Sequence, residues 1–318
     1  MSAPQSGKHV LALIALPDVT LDALRRDYTL RYHPDGWGEA LPASADPVNV
    51  RAVITNGSTG LSGAQMAALP ALEIVSAFGA GYENIDVAAA TRRGIVVTHA
   101  PGANAATVAD HAIGLLLALA RGYAPLTEAV RAGRWRTSRA ERPTLTGARL
   151  GIVGMGRIGR LIAARAQGFD MTLGYHARRP HDDARGRYYA DLTELAAVSD
   201  FLVIACNGGA ATKHLVSSKV LQALGPNGYV VNVSRGSVLD TQALIDALAQ
   251  AAIAGAGLDV IEDEPAVPRA LLDHPDVLVT PHIAGRSPAS LSAQRDALLA
   301  SLAQHFAHAP VEFAVPVA

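Results

Sequence analysis

The chain has 318 residues, of which 50% are apolar and 17% charged, with 29 glycines and 18 prolines. This length favours two domains of about 100 to 200 residues each, and the composition excludes a disordered chain. The formal net charge of -1 is spread along the chain and gives no electrostatic basis for binding nucleic acid or an anionic membrane surface.

The N-terminus and the cysteine content bear on the cellular compartment. The first residues lack a charged segment followed by an apolar one, and the single Cys206 cannot form an intramolecular disulfide. The apolar run Ala112–Ala120, broken only by Gly114, is far shorter than the roughly 20 residues that cross a bilayer. We therefore expect a chain without a membrane span in the reducing cytoplasm.

Apolar, β-branched runs alternate with Ala- and Leu-rich stretches, which predicts parallel sheets covered by helices. The predicted strands are His9–Leu16, Ala52–Thr55, Ile74–Phe78, Leu150–Val153, Met171–Tyr175, Phe201–Cys206, Tyr229–Val233 and Val277–Thr280. The spacing of apolar residues predicts helices over Ala105–Arg121, Arg160–Gln167 and Ala289–His308. The Pro-, Arg- and Gly-rich residues 122–147 are expected to form a crossover and an excursion.

A glycine-rich segment, G-M-G-R-I-G at residues 154–159, directly follows a predicted strand and opens a helix. Gly154 permits a tight turn, Gly156 lets the backbone approach a pyrophosphate, and Gly159 lets helix and strand pack closely. Free N–H groups at the start of the helix can bind the anion. Strand, glycines and helix in register therefore predict a dinucleotide-binding site.

The residues about twenty positions further on bear on the choice of cofactor. An NAD-binding domain places an acid there for the ribose 2′-hydroxyl, but residues 175–180 are Y-H-A-R-R-P. Arg178 and Arg179 can instead hold a 2′-phosphate by charge-assisted hydrogen bonds, so we expect NADPH, with NADH possible but weaker. A solvated basic loop is the alternative for the two arginines, and His176 either stacks on adenine or caps the strand.

Three later segments lie at the ends of strands: N-V-S-R-G at 232–236, D-V-I-E-D-E-P at 259–265 and P-H-I-A-G at 281–285. Open α/β sheets bind ligands at the carboxyl ends of their strands. A guanidinium, a carboxylate and an imidazole can orient a 2-oxoacid, polarise its carbonyl and deliver a proton, with no metal required. Taken singly, the same residues would be a salt bridge, a solvated acidic run and a loop histidine.

These motifs, in this order, resemble those of the D-isomer-specific 2-hydroxyacid dehydrogenase family, most clearly from about Ile74 to the C-terminus. The resemblance implies an α/β fold with two doubly wound parallel-sheet domains. A flavodoxin-like substrate domain would comprise residues 1–101 and 285–318, and a Rossmann cofactor domain would comprise residues 102–284, with the active site in the cleft.

The resemblance also implies catalytic roles for three residues. Arg235 would bind the substrate carboxylate and carbonyl, His282 would be the general acid/base, and Glu264, just before Pro265, would orient the imidazole. From the residues alone, Glu262 and Asp263 remain rival carboxylates for the histidine.

Binding residues follow from the resemblance as well. Residues 76–86, S-A-F-G-A-G-Y-E-N-I-D, are similar to the family's substrate loop, where backbone N–H groups receive the substrate carboxylate. The substrate-binding residues would be Phe78, Gly79, Ala80 and Gly81, together with Arg235 and His282. The cofactor-binding residues would be Thr107, Gly154, Gly156, Arg157, Ile158, Gly159, His176, Arg178, Arg179, Cys206, Asn207, Thr212, Val233 and Asp259.

Several of these assignments have a structural alternative. The glycine-rich turn could hold no ligand, and Phe78 could wall the pocket or pack beneath the turn. Thr107 and Asp110 would otherwise be plain helix-start residues, and Cys206 a buried residue at a strand end without redox chemistry.

Residues 175–179, 191–206 and 255–265 look most like the family's NADPH-linked glyoxylate/hydroxypyruvate and hydroxyphenylpyruvate reductases. The expected function is reduction of small 2-oxoacids, such as glyoxylate and hydroxypyruvate, to D-2-hydroxyacids. The alternatives are a reductase of larger aryl pyruvates such as hydroxyphenylpyruvate and a nucleotide-sensing, corepressor-like binding protein. The resemblance further implies a homodimer in which Trp135 reaches toward the partner, a local core anchor being the alternative for this side chain.

Overall fold

The computed structural model describes residues 7–38, 41 and 43–316, and the chain forms two compact units. The first unit comprises Met1–Asn104 and Ser287–Ala318, and the second comprises Ala105–Arg286. The domain boundaries expected after residues 101 and 284 stay a prediction.

The first unit contains a five-stranded parallel sheet in the order β2-β1-β3-β4-β5. Its strands are β1 (His9–Ala12), β2 (Thr29–Tyr32), β3 (Ala52–Thr55), β4 (Ile74–Ala77) and β5 (Val96–Thr98). Its helices are α1 (Asp18–Asp27), α2 (Gly63–Ala67), α3 (Val87–Arg92) and the C-terminal α11 (Pro288–Phe306), with a 3-10 turn at Ala43–Ala45. This strand order is that of flavodoxin-like folds.

The second unit contains a seven-stranded parallel sheet in the order β12-β11-β10-β9-β6-β7-β8. Its strands are β6 (Arg149–Val153), β7 (Thr172–His176), β8 (Arg187–Tyr189), β9 (Phe201–Ile204), β10 (Tyr229–Asn232), β11 (Gly255–Leu258) and β12 (Val277–Val279). Its helices are α4 (Ala105–Arg121), α5 (Tyr123–Arg131), α6 (Arg157–Ala166), α7 (Leu192–Ala197), α8 (Ser218–Leu224), α9 (Thr241–Ala249) and α10 (Arg269–Leu272). Single 3-10 turns lie at Gln167–Phe169, Ala210–Thr212 and Gly236–Val238.

The order of this sheet, counted from β6, is that of a Rossmann fold extended by one strand, and the chain reverses direction across the sheet between β6 and β9. The predicted fold class, two parallel-sheet α/β domains of flavodoxin-like and Rossmann type, is confirmed. Helix α4 has the predicted bounds, and it packs on one face of the sheet through fully buried residues such as Ala112, Leu116 and Ala120. Burial of a leucine side chain of this kind contributes about 1.5 to 3 kcal/mol.

Many element boundaries differ from the sequence-based prediction by one to four residues, and the following are examples. Strand β1 ends at Ala12 rather than Leu16, because the chain then turns toward Pro17, the N-cap of α1. Helix α6 begins at Arg157, three residues earlier than predicted, because Gly156 is already its N-cap. The prediction for the last helix was one residue late at its start and two residues too long at its end.

The predicted excursion contains a helix, α5, that the sequence analysis missed. Gly122 has a left-handed φ of +64° and separates α4 from α5. Pro125 is the third residue of α5, where its missing N–H removes no intrahelical bond. In the described part of the chain no single helix is both long and apolar enough to cross a bilayer; α4 and α5, bent by 51°, pass that test only as a pair.

Candidate active site

Three neighbouring strands of the second unit bring the predicted catalytic residues to one edge of the sheet. Strands β10, β11 and β12 are adjacent and parallel, so their carboxyl ends lie side by side. Arg235 follows β10, Glu264 follows β11, and His282 follows β12. The sheet therefore places a guanidinium, a carboxylate and an imidazole close together, although 47 residues separate the first from the last in sequence.

The imidazole of His282 pairs with Glu264. Its Nδ1 lies 2.8 Å from Oε1 of Glu264, and both side chains are about one-third exposed. The hydrogen bond that His282 donates to Glu264 raises the pKa of the imidazole; burial and, to a smaller extent, the positive charge of Arg235 oppose this, and the net shift is upward. Because Nδ1 is bonded to the carboxylate, Nε2 is the nitrogen that can exchange a proton with a ligand.

Glu262, one rival carboxylate, binds a different histidine. Nε2 of His214 lies 2.8 Å from Oε1 of Glu262, and its Nδ1 lies 3.7 Å from Oδ2 of Asp240. The other rival, Asp263, is exposed. Of the three acids in the run 262–264, Glu264 is thus the one that contacts His282.

Asp259 holds the backbone of the segment that carries His282. Its carboxylate, 2% exposed, accepts the hydroxyl of Thr280 at 2.6 Å and the N–H groups of Ile283 and Ala284 at 2.9 Å each. The N–H of His282 donates to the Asp259 carbonyl, also at 2.9 Å. Sequence reasoning assigned Asp259 only to the cofactor and missed Thr280, although an acid at one strand end and T-P-H at the next were visible signals.

The Arg235 turn is shaped by its neighbours in sequence and by two glycines. The buried amide of Asn232 donates to the Arg235 carbonyl at 3.0 Å, and Nη1 of Arg235 donates to the Ser234 carbonyl at 2.6 Å. A Cβ on Gly208 would meet the Arg235 side chain, and one on Gly236 would lie 2.0 Å from the backbone carbon of Ile261. The glycine after Arg235 is therefore needed because the turn packs directly on the acidic segment.

The three glycines of the dinucleotide motif have different structural roles. Gly154 has φ +100°, and a Cβ there would lie 2.5 Å from Cα of Cys206. A Cβ on Gly159 would lie 2.1 Å from the Gly154 carbonyl oxygen, so this glycine lets α6 approach the turn. At Gly156, the N-cap of α6, a Cβ would meet nothing within 4 Å. The backbone of Gly156 is therefore open on the side where a side chain would stand, as the approach of a phosphate to the start of α6 requires; Arg157 is exposed and Ile158 half-buried.

The arginines at the end of β7 are exposed, and within the described residues neither Arg178 nor Arg179 has an ion-pair partner. The nearby Arg160 pairs with Asp183, which lowers the pKa of that carboxyl even at the surface. Nδ1 of His176 lies 3.0 Å from the carbonyl oxygen of Tyr189 on β8, a contact that fits the strand-capping alternative. The two arginines thus present positive charge that no ion pair among the described residues compensates.

Other predicted cofactor residues line the same sheet edge. Cys206 is half-buried and lies two residues past the end of β9, so it is neither fully buried nor part of the strand as predicted. Burial raises the pKa of its thiol to about 11. The hydroxyl of Thr212 donates to the Asn207 carbonyl at 2.9 Å and closes the loop between them, and Val233 is buried directly after β10.

Thr107 and Asp110 lie at the start of α4. Thr107 is half-buried in the first turn of the helix. Asp110 is exposed and pairs with Nε of Arg165 on α6 at 2.6 Å. Asp110 thus forms an ion pair between helices α4 and α6, and Thr107 lies in the first turn of α4.

The predicted substrate loop belongs to the first unit and follows β4 there. Phe78 is half-buried and packs against the apolar side chains between the sheet and α11, which fits the alternative that it lies beneath the turn. Gly79 has φ +134°, and its carbonyl accepts the N–H of Ala100 at 2.7 Å. Nδ1 of His99 lies 2.9 Å from the Ala80 carbonyl oxygen. Residues 79–81 are partly exposed and thus accessible to a ligand.

Trp135 is 66% exposed in the described chain, so the alternative that it anchors a local core is wrong. Within the described residues there is also no group of three or more His, Cys, Asp or Glu side chains suited to hold a metal ion.

Comparisons with known proteins agree with the class of enzyme that this fold and this arrangement of side chains define. The profile of the family described as D-isomer specific 2-hydroxyacid dehydrogenase, NAD binding domain, matches residues 113–284. The chain belongs to this family.

Named relatives include a glyoxylate/hydroxypyruvate reductase A of Arabidopsis thaliana, 39% identical over 81% of this chain and 83% of that protein. A hydroxyphenylpyruvate reductase of Plectranthus scutellarioides is 37% identical over 83% of this chain and 84% of its own. Among solved structures, the NADPH-dependent glyoxylate/hydroxypyruvate reductase of Sinorhizobium meliloti, in complex with NADP and malonate, superposes with a TM-score of 0.88 at 37% identity, covering 98% and 97% of the two chains.

Proposed function

We propose that this chain is an NADPH-dependent reductase that converts small 2-oxoacids such as glyoxylate and hydroxypyruvate to D-2-hydroxyacids. The observation that carries the proposal is the His282–Glu264 pair beside Arg235, on the same sheet edge as the glycine-rich turn. The names of the reductases in Arabidopsis thaliana and Sinorhizobium meliloti support the substrate class.

The residues fit an NADP cofactor. The open space at Gly156, the N–H groups at the start of α6 and the two uncompensated arginines after β7 suit a pyrophosphate and a 2′-phosphate. The cofactor-binding set proposed here is the one inferred from the sequence, including Thr107, Val233 and Asp259. When bound, the nicotinamide supplies the hydride.

In this proposal the side chains act on the substrate as follows. Arg235 binds the carboxylate and polarises the carbonyl oxygen of the 2-oxoacid. Protonated His282 gives its Nε2 proton to the developing alkoxide, while Glu264 holds Nδ1 and stabilises the imidazolium. In the oxidation direction, neutral His282 accepts the proton.

A substrate panel tests this function. Initial rates are measured with glyoxylate, hydroxypyruvate and 4-hydroxyphenylpyruvate, each with NADPH and with NADH, and the products are resolved by chiral chromatography. We expect the highest kcat/KM with NADPH and the two small acids, and D products from hydroxypyruvate and the aryl pyruvate. Equal efficiency with NADH would contradict the cofactor assignment, and NADPH binding without any turnover would favour a binding protein.

The hydroxyphenylpyruvate reductase among the relatives favours one alternative substrate, a larger aryl pyruvate. A kcat/KM for 4-hydroxyphenylpyruvate above those for the small acids would select it.

The matched variants Arg178→Ala and Arg179→Ala test the cofactor assignment. Each should raise the KM for NADPH by about 10- to 100-fold, as loss of a charge-assisted hydrogen bond implies, and leave the KM for NADH nearly unchanged.

We also propose a cytoplasmic homodimer that includes the segment around Trp135. The exposed indole and the exposed Tyr123 and Val130 on α5 support an interface there. Light scattering after gel filtration should give about twice the 33.0 kDa of the chain, and a Trp135→Ser variant should shift the mass toward that of a monomer.

A further inference from the structure

A chain of polar contacts joins helix α4 to the segment that carries His282. Nε2 of His111, on the second turn of α4, lies 3.0 Å from the Thr280 hydroxyl oxygen. That hydroxyl lies 2.6 Å from Oδ1 of Asp259, whose two carboxylate oxygens accept the N–H groups of Ile283 and Ala284. His111 is thus two side chains away from the backbone that follows His282.

The number of hydrogen atoms that these three side chains can donate fixes the direction of each hydrogen bond between them. The Thr280 hydroxyl donates to Oδ1 of Asp259, and this bond uses its single hydrogen. The Thr280 oxygen must then accept a hydrogen bond from His111, which carries its hydrogen on Nε2. Without that donor, the hydroxyl loses the contact that holds it toward Asp259.

The backbone of His282 depends on the same two residues. His282 has φ +50°, a left-handed backbone conformation that residues other than glycine rarely adopt. Its N–H donates to the carbonyl oxygens of Asp259 and Thr280, both at 2.9 Å. Such a conformation persists only when the surroundings determine it, and here Asp259 and Thr280 do so from both sides of the residue.

We propose that His111 is a positioning residue for proton transfer, acting through Thr280 and Asp259 to keep His282 oriented toward Glu264. This inference rests on the proposed function, because it takes His282 as the proton donor. His111 is 24% exposed, and the charged group that faces it is Asp259, at 3.6 Å. His282 is faced by Glu264, Arg235 and Asp259.

Two pairs of variants test the inference. His111→Leu removes the donor and keeps a helix-forming side chain of similar volume, whereas His111→Gln retains an N–H donor. Thr280→Val removes the hydroxyl, and Thr280→Ser keeps it. We expect His111→Leu and Thr280→Val each to lower kcat for glyoxylate reduction by about 10- to 100-fold, as misplacement of a reacting group does. Glutamine and serine should restore most of the rate.

The double variant shows whether the two residues act together. If His111 works through the Thr280 hydroxyl, His111→Leu/Thr280→Val should be no slower than either single variant. The dissociation constant for NADPH should stay near that of the parent chain in all four single variants, and each variant should remain folded at the assay temperature, as its melting curve shows. Independent, multiplying losses in the double variant, or a parent-like kcat in His111→Leu, would overturn the inference.

A readout without turnover separates this inference from the proposed function. The His282 imidazole proton, assigned in NMR spectra by its loss in His282→Ala, is titrated in the parent chain and in His111→Leu. We expect its pKa to fall in the variant as the contact with Glu264 loosens. An unchanged titration would overturn the positioning role, whereas a shifted titration in a chain that reduces no 2-oxoacid would remove only the proposed function.

Discussion

At His282 the imidazole and the backbone are held by different neighbours. Glu264 binds Nδ1, whereas Asp259 and Thr280 hold the main chain in its left-handed conformation. The side-chain contact sets the protonation state and the backbone contacts set the direction of the ring. A change to either set should therefore impair proton transfer, the first by removing the charge of Glu264 and the second by moving the imidazole relative to it.

The contact with Glu264 predicts a specific pH dependence. The carboxylate raises the pKa of His282, so the protonated form persists to higher pH than for an ordinary histidine. Reduction needs that form, and its kcat/KM should fall as pH rises through the raised pKa. In Glu264→Gln the charge and its stabilisation of the imidazolium are lost, so this fall should move to lower pH.

Oxidation of a D-2-hydroxyacid supplies the control for this prediction, because it needs neutral His282. Its kcat/KM should rise with pH through the same pKa, and the rise should also move to lower pH in Glu264→Gln. Rate profiles in both directions, over pH 5 to 10, provide the measurement. A Glu262→Gln variant, which alters the contact with His214 instead, should leave the position of both limbs in place. A limb that stays fixed in Glu264→Gln contradicts the assignment.

At the scale of elements, the turn between β6 and α6 contains two glycines, Gly156 and Gly159, whose replacement by alanine should affect stability differently. Gly159→Ala would bring a methyl group 2.1 Å from the Gly154 carbonyl oxygen, so we expect this variant to lower the melting temperature. Gly156→Ala meets no protein atom within 4 Å and has an ordinary φ of -78°, so stability should change little.

The affinity for NADPH should also distinguish Gly156→Ala, which keeps its stability but should lose affinity. Because the open space at Gly156 is where a pyrophosphate would approach the backbone, Gly156→Ala should weaken NADPH binding by at least tenfold, or about 1.4 kcal/mol, while the protein stays folded. Fluorescence titration and thermal denaturation measure the two effects. Unweakened binding in Gly156→Ala would place the phosphate elsewhere.

The elements also show where sequence analysis succeeds. Helix α4 was predicted with its true bounds because its apolar residues repeat at helical spacing over 17 positions. The glycine-rich turn was predicted because all its parts are local: a strand, three glycines and a helix in register. Helix α5 was missed because Pro125 and the flanking glycines indicate irregular structure unless the proline falls in a first turn.

Contacts between distant segments could not be predicted from the sequence. Glu262 and Glu264 lie in one acidic run, and the choice between them depends on His214, which is 48 residues away from Glu262. The approach of Gly236 to the backbone of Ile261 likewise arises only when β10 and β11 pair. The residues alone therefore identified the chemical groups, the family resemblance selected Glu264, and the tertiary structure shows its contact with His282.

At the scale of the whole molecule, each unit is a parallel sheet whose loops at the carboxyl edge carry the predicted ligand-binding residues. In the second unit, the glycine-rich turn follows β6, and the three catalytic candidates follow β10, β11 and β12. Since all seven strands run in the same direction, cofactor and acid-base residues share one edge without any long insertion.

Cofactor binding should therefore stabilise the whole second unit against unfolding. A ligand that binds only the folded chain adds about 2.7 kcal/mol at a hundred times its dissociation constant, and for a domain of this size that corresponds to a rise in melting temperature of about 5 to 10 °C. We expect this rise with NADPH and a smaller one with NADH at the same concentration. Hydrogen exchange should slow at β6, α6 and β9, the elements around the glycine-rich turn.

The double variant Arg178→Ala/Arg179→Ala separates charge recognition from the rest of the cofactor site. It should lose most of the stabilisation by NADPH and keep that by NADH, because the two exposed guanidiniums would contact only the 2′-phosphate. NADH supplied at the same multiple of its own dissociation constant should stabilise the parent chain as strongly as NADPH does, since the gain depends on occupancy alone. Equal protection by the two cofactors at equal concentration would show that the arginines are a solvated loop, and because this experiment needs no turnover, it tests cofactor choice independently of the substrate.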